Sequence, residues 1–400
     1  MKYIVILGDG MADYPIEQLN GKTPLEVANK PFIDGLCKKS IIGLLKTVPD
    51  GMKPGSDVAN LSVLGYSPEK VYTGRSPLEA GSIGINLLDT DIATRANLVT
   101  VSDEPNYEDK TMIDYSAGEI STEEAKVLIE YLAEKLNDDK YKLYSGISYR
   151  HCFITANGKL CGDLTPPHDI TGKPVKGHLP TSEVGKIYLD FMKRSYDLLK
   201  GHPVNIKRVK EGKNPANSLW FWGEGTKPNL ENFEEKFGIK GGIISAVDLL
   251  KGIAKLSGMK NIEVAGATGN YDTNFMGKAK ACVEVLKNGL DYVYIHMEAP
   301  DECGHHGDLD KKIYSIEQID KVVKFVCDSL DDLGESYKIL ICPDHPTPIK
   351  LMTHVSDPVP FVLYSSQENF DGADSYNEIN AKNSGIVYQS GEELMQKLLS

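Results

Sequence analysis

The sequence predicts an α/β fold, with a mostly parallel sheet flanked by helices and interrupted by an inserted α+β domain. The first observation is the apolar run Tyr3–Leu7, which is followed by Gly8-Asp9-Gly10. A short continuous apolar run is typical of a buried parallel strand. The second is the alternation of strand-like and helix-like segments after Thr181, which favours a parallel sheet. The third is a change of pattern between Glu69 and Pro180, where short segments containing Thr, Tyr and Val are separated by many turns.

These patterns place a core domain in residues 1–68 and 181–400 and an inserted domain in residues 69–180. A chain of 400 residues is longer than one ordinary domain, which agrees with this division. The inserted domain contains one amphipathic helix, Ser121–Asn137, and Ser121-Thr-Glu-Glu124 has the capping-box pattern that starts such helices.

The core domain is predicted to alternate strands and helices along most of its length. The predicted strands are Tyr3–Leu7, Ile41–Leu45, Ser218–Trp222, Gly242–Ser245, Tyr292–Met297, Lys338–Cys342 and Pro360–Leu363. The predicted helices are Gly21–Leu36, Val58–Leu64, Glu183–Lys200, Ala246–Leu256, Thr273–Leu286, Asp310–Leu333 and Gly391–Leu399. Because ligands of open α/β sheets bind at the carboxyl ends of the strands, we expect a functional site there.

Composition and charge exclude several classes of function. A hydrophobic content of 41% and a charged content of 25% describe a soluble globular protein. The net charge of −13 argues against nucleic acid as a partner, although a local cationic cleft can still bind a small anion. No apolar run approaches the length of a membrane span, and the seven cysteines follow no disulfide pattern. We therefore expect a cytoplasmic protein with no membrane or nucleic-acid partner; the oligomeric state stays open.

Side chains that bind metals recur where predicted strands end or turn-rich segments follow them. They are Asp9, Ser56, Asp301, His305, Asp344, His345 and His354. Three carboxylates, three imidazoles and one hydroxyl fit two divalent metal ions better than one. Oxygen and nitrogen donors without thiolate favour Mn²⁺ or Zn²⁺ and leave Mg²⁺ open at one site. A pair of such ions stabilises both the attacking and the leaving oxygen of a phosphoryl transfer.

Each of these residues also has a plainer interpretation. Asp9 after a first strand can be a turn residue, Asp344 and His345 before Pro346 can close a turn, and Ser56 in Pro54-Gly-Ser-Asp57 can be a helix N-cap. The joint pattern favours a metal site, because separate loops, most of them at predicted strand ends, all supply suitable ligands.

At these residues the chain resembles the cofactor-independent phosphoglycerate mutases, in particular their archaeal-type branch within the alkaline phosphatase superfamily. The motifs that carry the resemblance are Gly8-Asp9-Gly10, Lys53-Pro-Gly-Ser56-Asp-Val-Ala-Asn60, Thr73-Gly-Arg-Ser-Pro-Leu-Glu79, Asp301-Glu-Cys-Gly-His305 and Asp344-His345 with His354. The resemblance implies an alkaline-phosphatase-like core, and it implies that Ser56 is the nucleophile that forms a phosphoserine. It further implies that Asp301, His305 and His354 hold one metal, and that Asp9, Ser56, Asp344 and His345 hold the other.

The resemblance also implies a small anionic phosphorylated substrate and cationic groups that bind it. The candidates are Arg75, Arg95 and Arg150 in the insert, Lys236 in the core, and His151 as a general acid or base. Arg75 is favoured because its Gly-Arg-Ser-Pro context belongs to the family pattern, and a guanidinium binds phosphate or carboxylate with two hydrogen bonds. Since water would intercept a phosphoserine, we expect the insert to act as a lid.

Three alternatives stay open at this point. The proline-rich segments Glu298-Ala-Pro-Asp301 and Cys342–Pro348, together with the order Tyr149-Arg150-His151, resemble a bacterial branch for which homoserine kinase activity has been proposed. A poorly closing lid would favour a phosphatase. A non-catalytic binding protein of the same fold is the third, although it would be expected to have lost ligands that this chain retains.

Overall fold

The computed structural model describes residues 1–400 and divides into two compact units. The core unit comprises Met1–Tyr72 and Asn229–Ser400, and the inserted unit comprises Thr73–Pro228. None of the helices is both long and apolar enough to cross a membrane.

The strands are numbered in chain order. They are β1 (Lys2–Gly8), β2 (Ile41–Leu45), β3 (Ile92–Val101), β4 (Met112–Asp114), β5 (Tyr141–Ile147), β6 (Arg150–Thr155), β7 (Ser218–Thr226), β8 (Gly241–Ile244), β9 (Lys260–Ile262), β10 (Tyr292–Met297), β11 (Tyr337–Cys342), β12 (Val359–Ser365) and β13 (Val387–Tyr388).

The α-helices are numbered in the same way. They are α1 (Pro24–Val27), α2 (Pro31–Cys37), α3 (Ser56–Val63), α4 (Pro68–Val71), α5 (Arg75–Ser82), α6 (Thr122–Leu136), α7 (Gly185–Leu199), α8 (Pro203–Lys210), α9 (Phe233–Phe237), α10 (Asp248–Leu256), α11 (Phe275–Lys287), α12 (Ala299–His305), α13 (Leu309–Asp332), α14 (Glu378–Asn383) and α15 (Gly391–Leu399). Short 3₁₀ turns occur at Glu17–Leu19, Tyr107–Asp109 and Pro167–Ile170.

The core unit is built on an eight-stranded sheet with the order β13-β2-β12-β11-β1-β10-β8-β9. All neighbouring strands pair in parallel except β12, which is antiparallel to both β11 and β2. The prediction of a mostly parallel sheet is therefore confirmed. The carboxyl ends of β11, β1, β10 and β8 lie side by side at one edge of the sheet, where the functional site was expected.

Both faces of the central strand β1 are buried. Ile4 and Ile6 join an apolar cluster with residues of α11 and α13, and Val5 and Leu7, which point to the other face, are equally buried. A strand that is buried on both sides has a continuous apolar sequence, which is why β1 could be predicted from the sequence.

The inserted unit ends later than the sequence predicts, and residues 181–228 belong to it rather than to the core. Its sheet is entirely antiparallel: β3 pairs with β4 and β6 and also with β7, and β5 pairs with β6. The apolar strand at 218–222 was assigned to the core because periodicity does not reveal a strand's partner. Its partner is β3, and α7 packs against β7 in the same apolar cluster.

The helix predicted over Gly21–Leu36 is two helices, α1 and α2, separated by Ala28–Lys30. Pro31 causes the break, because a proline disfavours the helical conformation in the residue before it and has no N–H to continue the ladder. The helix predicted at Ser121–Asn137 is α6, and the Ser121 side chain accepts a hydrogen bond from the Glu124 N–H. The Glu124 carboxylate pairs with Arg208 instead of completing the predicted capping box.

Candidate active site

Three of the expected metal ligands follow two adjacent strands of the core sheet. Asp9 comes directly after β1, and Asp344 and His345 lie just beyond Cys342, the last residue of β11. All three side chains are buried. Since β1 and β11 are parallel neighbours, their carboxyl ends bring together residues that are more than 300 positions apart in the chain.

The remaining expected ligands come from two helices and one loop. Asp301 and His305 lie four residues apart on α12, which follows β10, so they face the same side of the helix. His354 lies in the loop between β11 and β12, and Ser56 is the first residue of α3. The N–H groups of this first turn are not all free, because the Val58 N–H donates to Asp57 Oδ1.

Asp301, His305 and His354 form the first group of side chains. His305 Nε2 lies 3.3 Å from Asp301 Oδ2 and 2.9 Å from His354 Nε2, and His354 Nε2 lies 3.4 Å from Asp301 Oδ1. His305 Nδ1 lies 3.0 Å from the Met352 carbonyl oxygen, and Thr347 Oγ1 donates to Asp301 Oδ1. The Nε2 atoms of both imidazoles therefore point at the Asp301 carboxylate.

The pKa values of this first group reflect the same arrangement. Burial alone would raise the pKa of Asp301, but hydrogen bonds with His305 and His354 hold it well below its usual range. The Asp301 carboxylate in turn raises the pKa of His305 to about 9, against the opposing effect of burial.

Asp9, Asp344 and His345 form the second group. His345 Nε2 lies 3.7 Å from Asp9 Oδ1 and 3.4 Å from Asp344 Oδ2. His345 Nε2 also lies 3.3 Å from Ser56 Oγ, and its ring centroid is 4.0 Å from that of His354. The ligand atoms of His345, Asp301 and His354 also lie within 4.8 Å of one another, so His345 connects the two groups.

The donor chemistry of both groups fits divalent cations. Asp9 Oδ1 is buried and has no hydrogen-bond partner. Burial and the nearby carboxylates of Asp344 and Asp301 raise the pKa of Asp9 well above its usual value. A cation against this oxygen would supply the missing partner and offset the repulsion between buried carboxylates. Neither group contains a thiolate, which suits Mn²⁺, Zn²⁺ or Mg²⁺.

Asn60 connects the nucleophile candidate to the metal candidates, a role the sequence reading did not assign. Its Nδ2 donates to the Ser56 carbonyl oxygen and to Asp344 Oδ2, each at 2.8 Å. Its Oδ1 accepts a 2.6 Å hydrogen bond from the Tyr294 hydroxyl in β10. The Gly10 and His345 N–H groups bind Asp344 Oδ1. Both oxygens of this carboxylate are therefore held in place.

We expect Tyr294→Phe to lower the free energy of unfolding by about 1–2 kcal/mol, because it leaves the buried Asn60 Oδ1 without its donor. Tyr292→Phe is the matched control, since Tyr292 is equally buried on the same strand and its hydroxyl has no hydrogen-bond partner. Urea denaturation followed by circular dichroism compares the two variants. Equal destabilisation by both changes would contradict the role given to the Tyr294 hydroxyl.

A buried ion pair ties together the loops that follow β1 and β11. Lys312 Nζ lies 2.7 Å from Asp13 Oδ2 and donates to the carbonyl oxygen of Thr347. The same Asp13 carboxylate accepts from the Ile349 N–H. Lys312 and Asp13 thus fix the segment between His345 and His354, which both groups depend on.

His296 is a further buried residue without a predicted role; it contacts Asp9 Oδ2 at 2.9 Å, and burial lowers its pKa to about 4.

Four of the five expected substrate-binding residues lie in the inserted unit. Glu79, which was not predicted to have a role, pairs with two of them: Arg75 Nε lies 2.9 Å from Glu79 Oε1, and Arg95 Nε lies 3.5 Å from Glu79 Oε2. Arg95 is buried and its guanidinium stacks over the Trp222 ring at 4.8 Å. Burial raises the pKa of Glu79, but Arg95 and Arg75 outweigh this and lower it.

Arg150 and His151 begin β6, which pairs with β3. Arg150 is exposed and lies 5.5 Å from the centroid of the Tyr149 ring. His151 is buried, its Nδ1 accepts from the Gly146 N–H, and its Nε2 has no partner. Burial and the charges of Arg95 and Arg150 lower the pKa of His151 to about 3, so the ring is neutral near pH 7.

Lys236 lies in the core unit, on α9. Its Nζ is 3.7 Å from Glu231 Oε2 and lies near the rings of Tyr66 and Phe237, at 5.7 and 5.5 Å. None of these partners is an expected metal ligand, so Lys236 as a substrate-binding residue stays a prediction.

Comparison with known proteins finds relatives that match nearly the whole chain. Residues 37–205 match the family model described as 2,3-bisphosphoglycerate-independent phosphoglycerate mutase. A relative from Geobacter sulfurreducens described as a probable enzyme of this name is 47% identical over 100% of both chains. A Methanosarcina barkeri relative described as a 2,3-bisphosphoglycerate-independent phosphoglycerate mutase is 48% identical, and the match covers 99% of this chain and 98% of its own.

Solved structures show the same fold over the whole chain. A protein from Pyrococcus horikoshii is 32% identical, has a TM-score of 0.83, and is matched over 100% of this chain and 96% of its own. A cofactor-independent phosphoglycerate mutase from Thermoplasma acidophilum is 25% identical with a TM-score of 0.66, over 100% of this chain and 99% of its own.

Proposed function

The chain belongs to the 2,3-bisphosphoglycerate-independent phosphoglycerate mutases, and from this we propose that it interconverts 2-phosphoglycerate and 3-phosphoglycerate through a phosphorylated Ser56. The observation that carries the proposal is the position of Ser56 Oγ, 3.3 Å from His345 Nε2. His345 belongs to the second group of candidate metal ligands, and it also lies within 4.8 Å of Asp301 and His354 of the first. A hydroxyl at that point is placed for phosphoryl transfer assisted by two cations.

The two groups of side chains fit two divalent metal ions, and Mn²⁺ is the favoured candidate. Asp301, His305 and His354 would hold one, and Asp9, Ser56, Asp344 and His345 would hold the other, with Zn²⁺ or Mg²⁺ as the other candidates. When bound, the ions lower the pKa of the serine hydroxyl and offset the negative charge of the phosphoryl group.

The reaction then needs two transfers between oxygen atoms. Ser56 Oγ attacks the phosphorus of the bound phosphoglycerate, the bond from phosphorus to the substrate oxygen breaks, and the proton lost by Ser56 ends on that oxygen. Glycerate reorients, its other hydroxyl attacks the phosphoserine, and Ser56 recovers a proton. Asn60 holds the Ser56 backbone and Asp344 in the same relative position during both transfers.

The inserted unit contributes cationic groups for the substrate's anionic ends. We assign this role first to Arg75 and Arg150, because their side chains are more exposed than that of Arg95. Arg95 is buried against Glu79 and Trp222, and it helps to hold Glu79, the partner of Arg75, in place. The neutral His151 ring, with its unpartnered Nε2, is the candidate proton donor or acceptor. The role of the inserted unit as a lid stays a prediction.

The test is a comparison of substrates for the purified protein with added Mn²⁺. We expect isomerisation of 3-phosphoglycerate, detected by enolase coupling, to be at least about 100-fold faster than release of inorganic phosphate or phosphorylation of homoserine by ATP. Faster homoserine phosphorylation would replace this proposal with a kinase, and phosphate release exceeding isomerised product would replace it with a phosphatase.

A further inference from the structure

A continuous chain of hydrogen bonds crosses the ends of three adjacent strands in the order β8, β10, β1. Ser245, just after β8, lies next to His296 of β10, and Ser245 Oγ is 3.3 Å from His296 Nδ1. His296 Nε2 is 2.9 Å from Oδ2 of Asp9, just after β1. Each of these three side chains is at most 3% exposed.

The partners of His296 favour the tautomer with the ring proton on Nε2, because Nε2 faces the Asp9 carboxylate, which can only accept, and Nδ1 faces the Ser245 hydroxyl, which can donate. The Val247 N–H donates to Ser245 Oγ at 3.0 Å, so the serine hydroxyl proton is available for His296 Nδ1. With Nδ1 accepting, the ring proton lies on Nε2 and points at Asp9. The His296 carbonyl oxygen accepts from the buried Lys278 Nζ at 2.9 Å, which fixes the backbone at the same position.

This arrangement treats the two oxygens of Asp9 differently. Oδ2 accepts from His296, whereas Oδ1 is buried without a hydrogen-bond partner and lies 3.7 Å from His345 Nε2. Oδ1 is therefore the oxygen that faces the other ligands of its group. A carboxylate held this way offers one oxygen to a cation in a fixed orientation.

We propose that His296, oriented by Ser245, is a positioning residue that holds Asp9 as a one-oxygen ligand of the metal bound with Asp344 and His345. The inference rests on the metal-dependent function proposed above. His296 is not itself assigned as a ligand, because its Nε2 already contacts Asp9 Oδ2 and its Nδ1 contacts Ser245.

The test measures Mn²⁺ binding by electron paramagnetic resonance, in which the signal of free Mn²⁺ is lost on binding. We expect His296→Leu to raise the dissociation constant of one of the two bound Mn²⁺ ions by about 10- to 100-fold and to leave the other unchanged. His296→Gln, whose amide nitrogen reaches the place of Nε2, should restore affinity to within about threefold of the unchanged protein.

Ser245→Ala supplies a second, milder variant in case His296→Leu does not fold. It should weaken binding of the same Mn²⁺ ion severalfold, because His296 Nδ1 then loses its hydrogen-bond donor and the ring is held less firmly. Ser257→Ala is its matched control: Ser257 is also a fully buried serine of the core unit, and its hydroxyl binds the Ile253 carbonyl in α10. This control should bind Mn²⁺ like the unchanged protein.

The outcomes separate this inference from the proposed function. Unchanged protein that binds no Mn²⁺ would overturn both. Two bound Mn²⁺ ions whose affinities are unaffected in His296→Leu and Ser245→Ala would overturn only the role of His296. Equal weakening in His296→Leu and His296→Gln would mean that the ring acts by packing, which also overturns it.

Discussion

Ser56→Ala is expected to reduce interconversion of 2- and 3-phosphoglycerate by a factor on the order of 10⁴ or more. Without the serine oxygen, no group on the protein holds the phosphoryl while glycerate reorients. Water attack on the substrate would release inorganic phosphate instead of the isomer. The change should leave the fold intact, because Ser56 is only partly buried, begins α3, and is replaced by a residue with high helix propensity.

Ser67→Ala is the matched control for this experiment. The Ser67 hydroxyl binds Glu69 at the surface just before α4, and its loss should leave turnover within about twofold of the unchanged protein. Turnover is measured by enolase coupling, and circular dichroism checks the fold of both variants. Isomerisation retained in Ser56→Ala at more than a hundredth of the normal rate would contradict the assignment of Ser56.

Asp344→Asn is expected to abolish high-affinity binding of one metal ion and to lower turnover on the order of 10³-fold. The Asp344 carboxylate accepts from Asn60 Nδ2 through Oδ2 and from the Gly10 and His345 N–H groups through Oδ1. An asparagine keeps one acceptor oxygen, but its amide N–H groups then face the Asn60 amide, so two donors oppose each other. The negative charge is lost as well, and the effect should exceed the 10- to 100-fold that supporting residues of metal sites cost.

Metal content measured after gel filtration in Mn²⁺ buffer checks this prediction. The unchanged protein should retain two equivalents and Asp344→Asn about one. Asp332→Asn, which changes an exposed carboxylate at the end of α13, controls for the loss of one negative charge. Two tightly bound equivalents in Asp344→Asn would contradict the assignment of this ligand.

The metal-ligand candidates could be predicted from the sequence because the signals that identify them are local. An apolar run followed by Asp9, and another followed by Asp344, mark the carboxyl ends of parallel strands, and such ends share one edge of a sheet. The spacing of Asp301 and His305 fits one helical face. These signals depend only on periodicity and turn chemistry, which a single sequence contains.

The residues that support those groups were not predictable in the same way. Asn60, Tyr294 and His296 lie inside helix or strand segments, where each reads as an ordinary buried polar residue. Their partners depend on strand register, since Ser245 and His296 meet only because β8 and β10 are neighbours. Thr347, which donates to Asp301, depends in the same way on the path of a loop.

The C-terminal boundary of the inserted unit was predicted wrongly for a related reason. The apolar segment at 218–222 reads as a strand in either unit, and only its antiparallel pairing with β3 assigns it to the insert. The arginines are a second example. The motif around Arg75 favoured it from the sequence, but only the structure shows that Arg75 and Arg95 share the partner Glu79.

The most direct test of the central claim is to find where the phosphoryl group rests during turnover. The protein with Mn²⁺ is mixed with 3-phosphoglycerate carrying a ³²P-labelled phosphoryl group, quenched in acid within one turnover, digested and analysed by peptide mapping. The account predicts label on the peptide that contains Ser56, at a level that decreases when unlabelled 3-phosphoglycerate is added before the quench. Label on another residue, or active turnover with no labelled peptide, would contradict it.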